Sequence, residues 1–223
     1  MAKSLLSVNQ KKFLDFFSEE KSLYSLFYLT GGTALSEFYL QHRYSEDLDF
    51  FSEKEFDIKD ITTLIESKKD SFGKPRLEYT QSFNRNIYQL IYPRGESLKV
   101  EFTYFPFKRI DTTHKAKNIS VDSLLDIAVN KLFTIYQNPR GRDYFDLYFI
   151  KEKRGFASIN ELVRLARIKF DVAIDFLQLG TYMLKVDKFL DDPILKITVD
   201  NQQIKDFFSR EAKKFKKKII KSD

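Results

Sequence analysis

Two aspartates that stand two positions apart carry the clearest chemical signal in the sequence. Asp47 and Asp49 flank Leu48 in a segment that continues through Phe50 and Phe51. Alternate side chains of an extended strand share a face, so the two carboxylates should project together, about 6 to 7 Å apart. Their repulsion, roughly 2 to 3 kcal/mol at an effective dielectric of about 20, would be reversed by a divalent cation between them. Because hard oxygen ligands suit Mg²⁺ or Mn²⁺, the spacing predicts a metal site; the competing interpretation is a solvent-facing strand edge.

A glycine pair and a third acid strengthen this prediction. Gly31 and Gly32 end a short apolar run, and a helical pattern follows from Thr33 to His42, with Thr33 in position to cap the helix. Free backbone N–H groups at such a helix start are donors for a phosphate. Glu101 stands in a further predicted strand, either as a third metal carboxylate or as the base that deprotonates an acceptor hydroxyl. Together these residues predict a site for a metal ion and a phosphate group.

The elements that must position these residues fall into two parts. Apolar periodicity predicts a helix within residues 13–27 and strands at 27–29, 47–51, 88–92 and 99–105. Helices are predicted at 120–136, 143–153, 159–170, 172–184 and 201–220, with no strand needed after residue 105. The polar stretch 108–118 is the natural boundary. We therefore predict an α+β protein, with a small mixed-sheet core over residues 1–112 and a helical bundle over 113–223 that completes a shared cleft.

The composition narrows the chemistry that is available. The chain has no cysteine and two histidines, which excludes thiolate metal sites and a cysteine nucleophile. A metal-dependent phosphohydrolase also uses clustered aspartates, but it usually needs histidines in its metal set, so this alternative is weak. No run of about 18 apolar residues and no secretory signal pattern occurs, so we expect a cytoplasmic location without membrane association.

The positive charge is concentrated at the C-terminus. The net charge is +6, and the last eleven residues contain six lysines. Without them, 32 basic residues balance 32 acidic ones. This tail either attracts a polyanion such as RNA or DNA, or is a solvated helix end. Its lysines are Lys213, Lys214, Lys216, Lys217, Lys218 and Lys221.

Two sequence blocks resemble a known enzyme family. The first runs from the GGTAL sequence at 31–35 to the HRYSEDLDFF sequence at 42–51. The second joins IAVNKL at 127–132 to RGRDYFDLY at 140–148. Both resemble the motifs of AbiEii/AbiGii-type nucleotidyltransferases, a family that includes the MenT toxins and belongs to the DNA polymerase beta-like superfamily. The resemblance covers residues 25 to 150, and the region after residue 153 matches only in its helical character.

The resemblance implies an activity and its partners. Such an enzyme moves a nucleoside monophosphate from an NTP onto an acceptor and releases pyrophosphate. The expected acceptor is tRNA, with a protein hydroxyl as the less favoured choice. Several relatives are toxins of toxin–antitoxin or phage-defence systems, so a cognate antitoxin is an expected partner. The alternative is a non-catalytic nucleotide- or RNA-binding module that acts through a partner protein.

The resemblance also places the functional positions of the family. They fall on Ser45 and Asp47, on Lys131 and on Asp146, and Asp49 completes the metal pair. The catalytic set is therefore expected to be the three aspartates with Lys131, which would reach across the cleft to the triphosphate. Ser45 and the glycine backbone would donate hydrogen bonds to the same phosphates.

Several residues near these motifs also have predicted roles. Arg43 is a candidate nucleotide contact, together with Thr33 after the glycine pair, whereas His42 is interpreted as a capping or packing residue. Asp143 and Asp146 share one helical face, so one acid would orient Lys131 while the other pairs with Arg140 or Arg142. Asp146 is preferred over Asp143 as the functional acid.

Overall fold

The computed structural model describes residues 4–154, 157–188 and 194–219. The chain forms two compact units: Met1–Tyr39 with Tyr44–Ser123, and Leu40–Arg43 with Leu124–Asp223. The second unit therefore includes four residues, Leu40–Arg43, that lie shortly before the acidic motif Asp47-Leu48-Asp49 in the sequence. We describe the two units separately as unit 1 and unit 2.

Unit 1 is built on one mixed sheet. Its strands in chain order are β1 Tyr28–Thr30, β2 Leu48–Ser52, β3 Arg76–Ser82, β4 Arg85–Ile91, β5 Ser97–Tyr104, β6 His114–Ala116 and β7 Ile119–Val121. The spatial order is β3-β4-β5-β2-β1-β7-β6. The β2–β5 and β1–β7 pairs are parallel, and the other pairs are antiparallel.

Aromatic rings of the sheet and of the first helix cover one face of this sheet. The helices of unit 1 are α1 Val8–Glu19, α2 Lys21–Tyr24, α3 Gly31–Leu35 and α4 Ile58–Lys68; α3 continues into a π-helical turn at Ser36–Leu40. A capping box between Ser7 and Gln10 starts α1. From α1, Phe17 stacks on Phe50 of β2, which in turn stacks on Phe102 of β5. Phe17, Phe50 and Phe102 are therefore core residues, and the side chains of Asp49 and Glu101 lie on the opposite face of β2 and β5.

The secondary-structure elements of the described part of unit 2 are helices. Its helices are α5 Leu124–Gln137, α6 Gly141–Arg154, α7 Ile159–Phe170, α8 Phe176–Leu184 and α9 Asn201–Ile219. Ser158 caps α7, and Asp171 ends it in a left-handed conformation. The core of unit 2 includes Tyr144 of α6 in edge contact with Phe208 of α9. No helix in the described ranges is both long and apolar enough to span a membrane.

The predicted α+β class is confirmed, but the sheet is larger than expected. The prediction that no strand follows residue 105 is wrong, because β6 and β7 extend the sheet beside β1. Both strands are three residues long, too short for a clear alternating pattern. The polar stretch 108–118 therefore lies inside unit 1, and the change of unit comes after Ser123 rather than after residue 112.

Candidate functional site

The polar face of β2 and β5 carries the acidic residues of unit 1. The two strands run parallel, with Asp49 opposite Glu101. Leu48 and Phe50 are fully buried on the other face, whereas Asp49 is half-buried. Asp47 precedes the first residue of β2 and is also half-buried. Side chains alternate between the faces as the sequence pattern predicts, and this brings the carboxylates to one surface.

Gly31 lies directly beneath Asp49. Its φ is +73°, and a methyl group built on it would overlap Oδ2 of Asp49 and lie 3.2 Å from Cγ. Only glycine tolerates both that backbone conformation and that closeness. The start of α3 and the strand that carries Asp49 therefore pack closely, because Gly31 has no side chain between them.

The prediction that Thr33 caps this helix is wrong. The helix begins at Gly31, and Thr30 occupies the cap position without a side-chain capping bond. The hydroxyl of Thr33 instead donates a hydrogen bond to the main-chain carbonyl of Asp47. This bond fixes the backbone of the first aspartate to the helix that follows the glycine pair.

A lysine cation lies on the first aspartate. Nζ of Lys99, on β5, is 2.6 Å from Oδ2 of Asp47. The two side chains are 28% and 22% exposed. The carboxylate oxygens of Asp47 and Asp49 are the hard donors that Mg²⁺ or Mn²⁺ prefers, and the position beside Asp47 already accommodates a positive charge. These two residues therefore fit a divalent cation.

The third acid of this face is held by other partners. Arg85, on β4, donates two hydrogen bonds to Glu101, at 2.7 and 2.6 Å, and the Thr103 hydroxyl donates a third at 2.8 Å. Burial opposes ionisation of Glu101, but the bonds from Arg85 and Thr103 outweigh it and hold the pKa of this carboxyl below its ordinary value. The described part of the chain contains no group of three or more His, Cys, Asp or Glu side chains arranged for a metal ion. A metal role for Glu101 would require Arg85 to leave it.

Unit 2 contains a second charged cluster, centred on Lys131 of α5. Its Nζ is 2.7 Å from Oδ1 of Asp143 and 2.7 Å from Oδ2 of Asp146, both on α6. Asp143 also pairs with Arg140, the residue just before α6, at 3.0 Å. Burial opposes ionisation of Asp143, yet the charges of Lys131 and Arg140 lower its pKa. We expected one acid to orient Lys131 and the other to pair with Arg140 or Arg142. In the structure both acids contact Lys131, and Asp143 also pairs with Arg140.

The four-residue segment of unit 2 that precedes the acidic motif binds the same cluster. Nε and Nη2 of Arg43 donate to the two oxygens of Asp146 at 2.7 and 2.9 Å. Nε2 of His42 lies 2.7 Å from Oδ1 of Asp146, and its ring packs edge-on against Phe149. Asp146 is fully buried, and although burial opposes its ionisation, Arg43 and Lys131 hold its pKa well below the ordinary range.

The predicted residues thus separate into two groups. Asp47, Asp49 and Glu101 share the polar face in unit 1, above Gly31. Arg43, Lys131 and Asp146 form the buried cluster in unit 2. Ser45 is half-buried, and its carbonyl accepts a bond from Gln10 at 2.8 Å.

Three residues that contact these acidic side chains were not predicted from the sequence. His42 was assigned to packing, although it contacts Asp146 as well as Phe149. Lys99 stands two residues before Glu101 in one strand, so strand alternation alone would have placed it on the acidic face. Arg85 carried no usable signal, because its position opposite Thr103 depends on the β4–β5 register.

A family model supplies the deciding comparison. Residues 16–221 match the model described as "Nucleotidyl transferase AbiEii toxin, Type IV TA system". The chain belongs to the AbiEii nucleotidyltransferase family. The match extends the resemblance seen in the two motif blocks through the helices of unit 2, and it makes the protein a nucleotidyltransferase. Membership of a type IV toxin–antitoxin family implies an NTP substrate and an antitoxin partner.

Individual relatives agree with this assignment. The chain is 29% identical over 193 residues to an uncharacterized protein of Aquifex aeolicus, covering 85% of this chain and 87% of the relative. Among solved structures, a putative nucleotidyltransferase from H. pylori gives a TM-score of 0.63 at 18% identity and covers 96% of both chains. The Helicobacter pylori protein JHP933 gives 0.61 at 19% identity, over 98% of this chain and 96% of that one. At these identities, the two structures show a common fold.

Proposed function

We propose that this AbiEii-family enzyme transfers a nucleoside monophosphate from an NTP to tRNA with the help of a divalent metal ion held by Asp47 and Asp49. The observation that carries the proposal is the pairing of these two carboxylates on one polar face with Gly31 packed under Asp49. A divalent ion, Mg²⁺ or Mn²⁺, would stabilise negative charge on the α-phosphoryl group and the departing pyrophosphate. As in a toxin of this family, activity would be countered by an antitoxin.

The residues around the acidic pair would hold and orient the substrate. The backbone at Gly31 and Gly32 would approach the phosphates closely, because no side chain stands in the way. The hydroxyl of Ser45 is a further proposed donor on this segment. Thr33 already donates its one hydroxyl proton to the carbonyl of Asp47, so its proposed contact to the nucleotide would be made by its main-chain N–H. Glu101 is not proposed as the base, because a carboxylate with a depressed pKa and three hydrogen-bond donors is a poor proton acceptor. Its proposed role is to orient its neighbour Asp49.

The cluster in unit 2 would supply positive charge. Lys131 is the proposed contact to the triphosphate, with its ammonium positioned by Asp143 and Asp146. Arg43 is the second proposed nucleotide contact. Asp146 would then work through these two cations as a positioning residue, because its carboxylate is fully buried and both oxygens already accept hydrogen bonds.

An RNA acceptor is favoured by the basic end of the chain. Lys213 and Lys214 are exposed on α9, as a surface that attracts a polyanion would require. The backbone of 216–218 continues this helix, and Lys221 lies outside the described residues. A protein hydroxyl would gain little from such a basic segment.

The proposal is tested by transfer of label from NTPs. The purified protein is incubated with Mg²⁺ and each α-labelled NTP, with total tRNA in one series and candidate proteins in another. Wild type should label tRNA, and Asp47→Ala and Lys131→Ala should reduce the rate at least about a hundredfold. Labelling of protein alone would contradict the RNA acceptor, and equal rates with and without a chelator would contradict the metal.

The role of the tail is tested by salt dependence. A full-length variant with glutamine at the six tail lysines keeps the buried Ala212 and Phe215 of α9. It should bind tRNA more weakly at low salt and show a flatter dependence of log affinity on log salt, because each lost phosphate contact removes about one unit of slope. An unchanged slope would identify the tail as a solvated helix end.

A further inference from the structure

Lys99 occupies the position beside Asp47 that a bound cation would need. Its Nζ contacts only one oxygen, Oδ2, at 2.6 Å. Lys99 donates to Oδ2 of Asp47 and leaves Oδ1 uncontacted by this cation. Both side chains are partly exposed, so water can hydrate the ammonium and the carboxylate when the pair separates. The contact is therefore a single, exchangeable ion pair.

Asp47 does not depend on Lys99 for its place. Its carbonyl is held by the Thr33 hydroxyl, and the next residue, Leu48, is fully buried at the start of β2. Removing the lysine would leave the backbone of the acidic segment anchored on both sides. The pair thus adds charge compensation to a carboxylate that is already positioned.

The second cation of this face is held in a different way. Arg85 makes two hydrogen bonds to Glu101, which is 4% exposed and also accepts from Thr103. Such a forked contact to a buried acid is stronger than a single lysine contact at the surface. Lys99 is therefore held by the weaker of the two contacts, and it lies close enough to Glu101 to contribute to the lowered pKa of that carboxyl.

We propose that Lys99 is an exchangeable cation, which neutralises Asp47 in the metal-free enzyme and moves to the nucleotide's phosphates when a divalent ion takes over Asp47. The inference rests on the proposed function of Asp47 and Asp49 as metal ligands. An ammonium on a flexible four-carbon stem can turn from a carboxylate to a phosphate without moving its strand. The exchange leaves Asp47 with a cationic partner in both states.

This role has two consequences of opposite sign. Lys99 competes with a free metal ion for Asp47, so its removal should strengthen metal binding. It also donates to the phosphates of a bound nucleotide, so its removal should weaken nucleotide binding. A residue that merely supports the fold would lower both affinities.

The experiment measures the two affinities in the full-length protein. Free Mn²⁺ is counted by electron paramagnetic resonance during titration of wild type and Lys99→Met. A non-hydrolysable NTP analogue is then titrated at saturating Mn²⁺. Lys99→Met should bind Mn²⁺ about two- to fivefold more tightly, as expected for loss of a partly exposed ion pair. It should bind the analogue about tenfold more weakly, as expected for loss of one charged hydrogen bond.

Lys117→Met is the matched control. Lys117 forms a lysine–aspartate pair of the same length, 2.6 Å, with Asp15 in the same unit. Its replacement removes the same charge and should change both affinities less than about twofold. If Lys99→Met leaves either affinity unchanged, lowers both, or behaves like Lys117→Met, the inference is overturned.

Asp47→Asn separates this inference from the function on which it rests. If Asp47→Asn loses Mn²⁺ binding while Lys99→Met matches wild type, only the exchange by Lys99 is contradicted. If Asp47→Asn binds Mn²⁺ as tightly as wild type, the metal role of Asp47 fails, and the inference fails with it.

Discussion

At the scale of single residues, Asp146 of unit 2 has a tightly constrained environment. It is fully buried and is contacted by His42, Arg43 and Lys131, three residues from two separate stretches of the chain. A buried carboxylate of this kind is stable only while its cations compensate for the lost hydration. Its proposed role in activity therefore depends on the positions of Arg43 and Lys131 as much as on its own charge.

Asp146→Asn should destabilise the protein strongly. The replacement keeps the size of the side chain but leaves buried cations without their anion, which costs on the order of 3 to 5 kcal/mol. Urea denaturation measures the change in the free energy of unfolding. Asp171→Asn is the control, because Asp171 is exposed and left-handed, a conformation that asparagine also tolerates, and it should change stability by less than about 0.5 kcal/mol. Equal effects of the two variants would contradict the described cluster.

The same carboxylates predict how stability depends on pH. The pKa values of Asp143 and Asp146 in the folded protein lie below the value of about 3.9 for an unfolded aspartate. Between the folded and unfolded pKa values the unfolded chain binds more protons, so acid favours unfolding there. Their contribution is full at neutral pH and is lost as the pH falls below about 5 towards the folded pKa values. Urea denaturation at a series of pH values should show a flatter acid loss for Asp146→Asn than for wild type; parallel curves would be the contrary result.

At the scale of elements, the join between α3 and β2 decides the geometry of the acidic face. The helix starts with a glycine at positive φ, and the strand places Asp49 where a Cβ of that glycine would lie. Thr33 adds a hydrogen bond from the helix to the residue before the strand. Helix and strand are therefore positioned together, and the acidic motif depends on both.

Gly31→Ala should damage activity more than its backbone strain alone explains. A left-handed alanine costs about 1 to 2 kcal/mol, and here the new methyl group would also push Asp49 aside. We expect the rate of label transfer to fall at least about tenfold. Gly95→Ala is the matched control, because Gly95 has φ +88° and a methyl group added to it would meet nothing within 4 Å. It should lose similar stability but keep its activity; equal activity losses would contradict the role of this contact.

Elements with long periodic patterns were predictable from the sequence, whereas short and exposed ones were not. The bounds of α7 were predicted as Ile159–Phe170 and are confirmed, because Ser158 supplies a cap and the apolar period is regular. β3 was missed because six of its seven residues are exposed, so it has no apolar alternation. The acidic pair was visible as a local motif, but the contact of Gly31 with Asp49 and the partner of Lys99 depend on strand register.

At the scale of the whole molecule, the chain connects two chemically different units. Unit 1 carries the carboxylates proposed to hold a metal ion, and unit 2 buries the cations proposed to meet a nucleotide. The segment Leu40–Arg43 belongs to unit 2, and the chain returns to unit 1 at Tyr44, three residues before Asp47. Family membership makes the molecule a nucleotidyltransferase and implies an antitoxin partner.

The central claim is that Asp47 and Asp49 drive nucleotidyl transfer, and the fate of two labels tests it most directly. NTPs labelled at the α- or the γ-phosphorus are offered in parallel, with tRNA and Mg²⁺, to wild type, Asp47→Asn, Asp49→Asn and the exposed control Asp60→Asn. Wild type and the control should place the α label on tRNA and the γ label in pyrophosphate, and both motif variants should do neither. Transfer of the γ label to the acceptor, or undiminished α transfer by Asp47→Asn and Asp49→Asn, would contradict this claim.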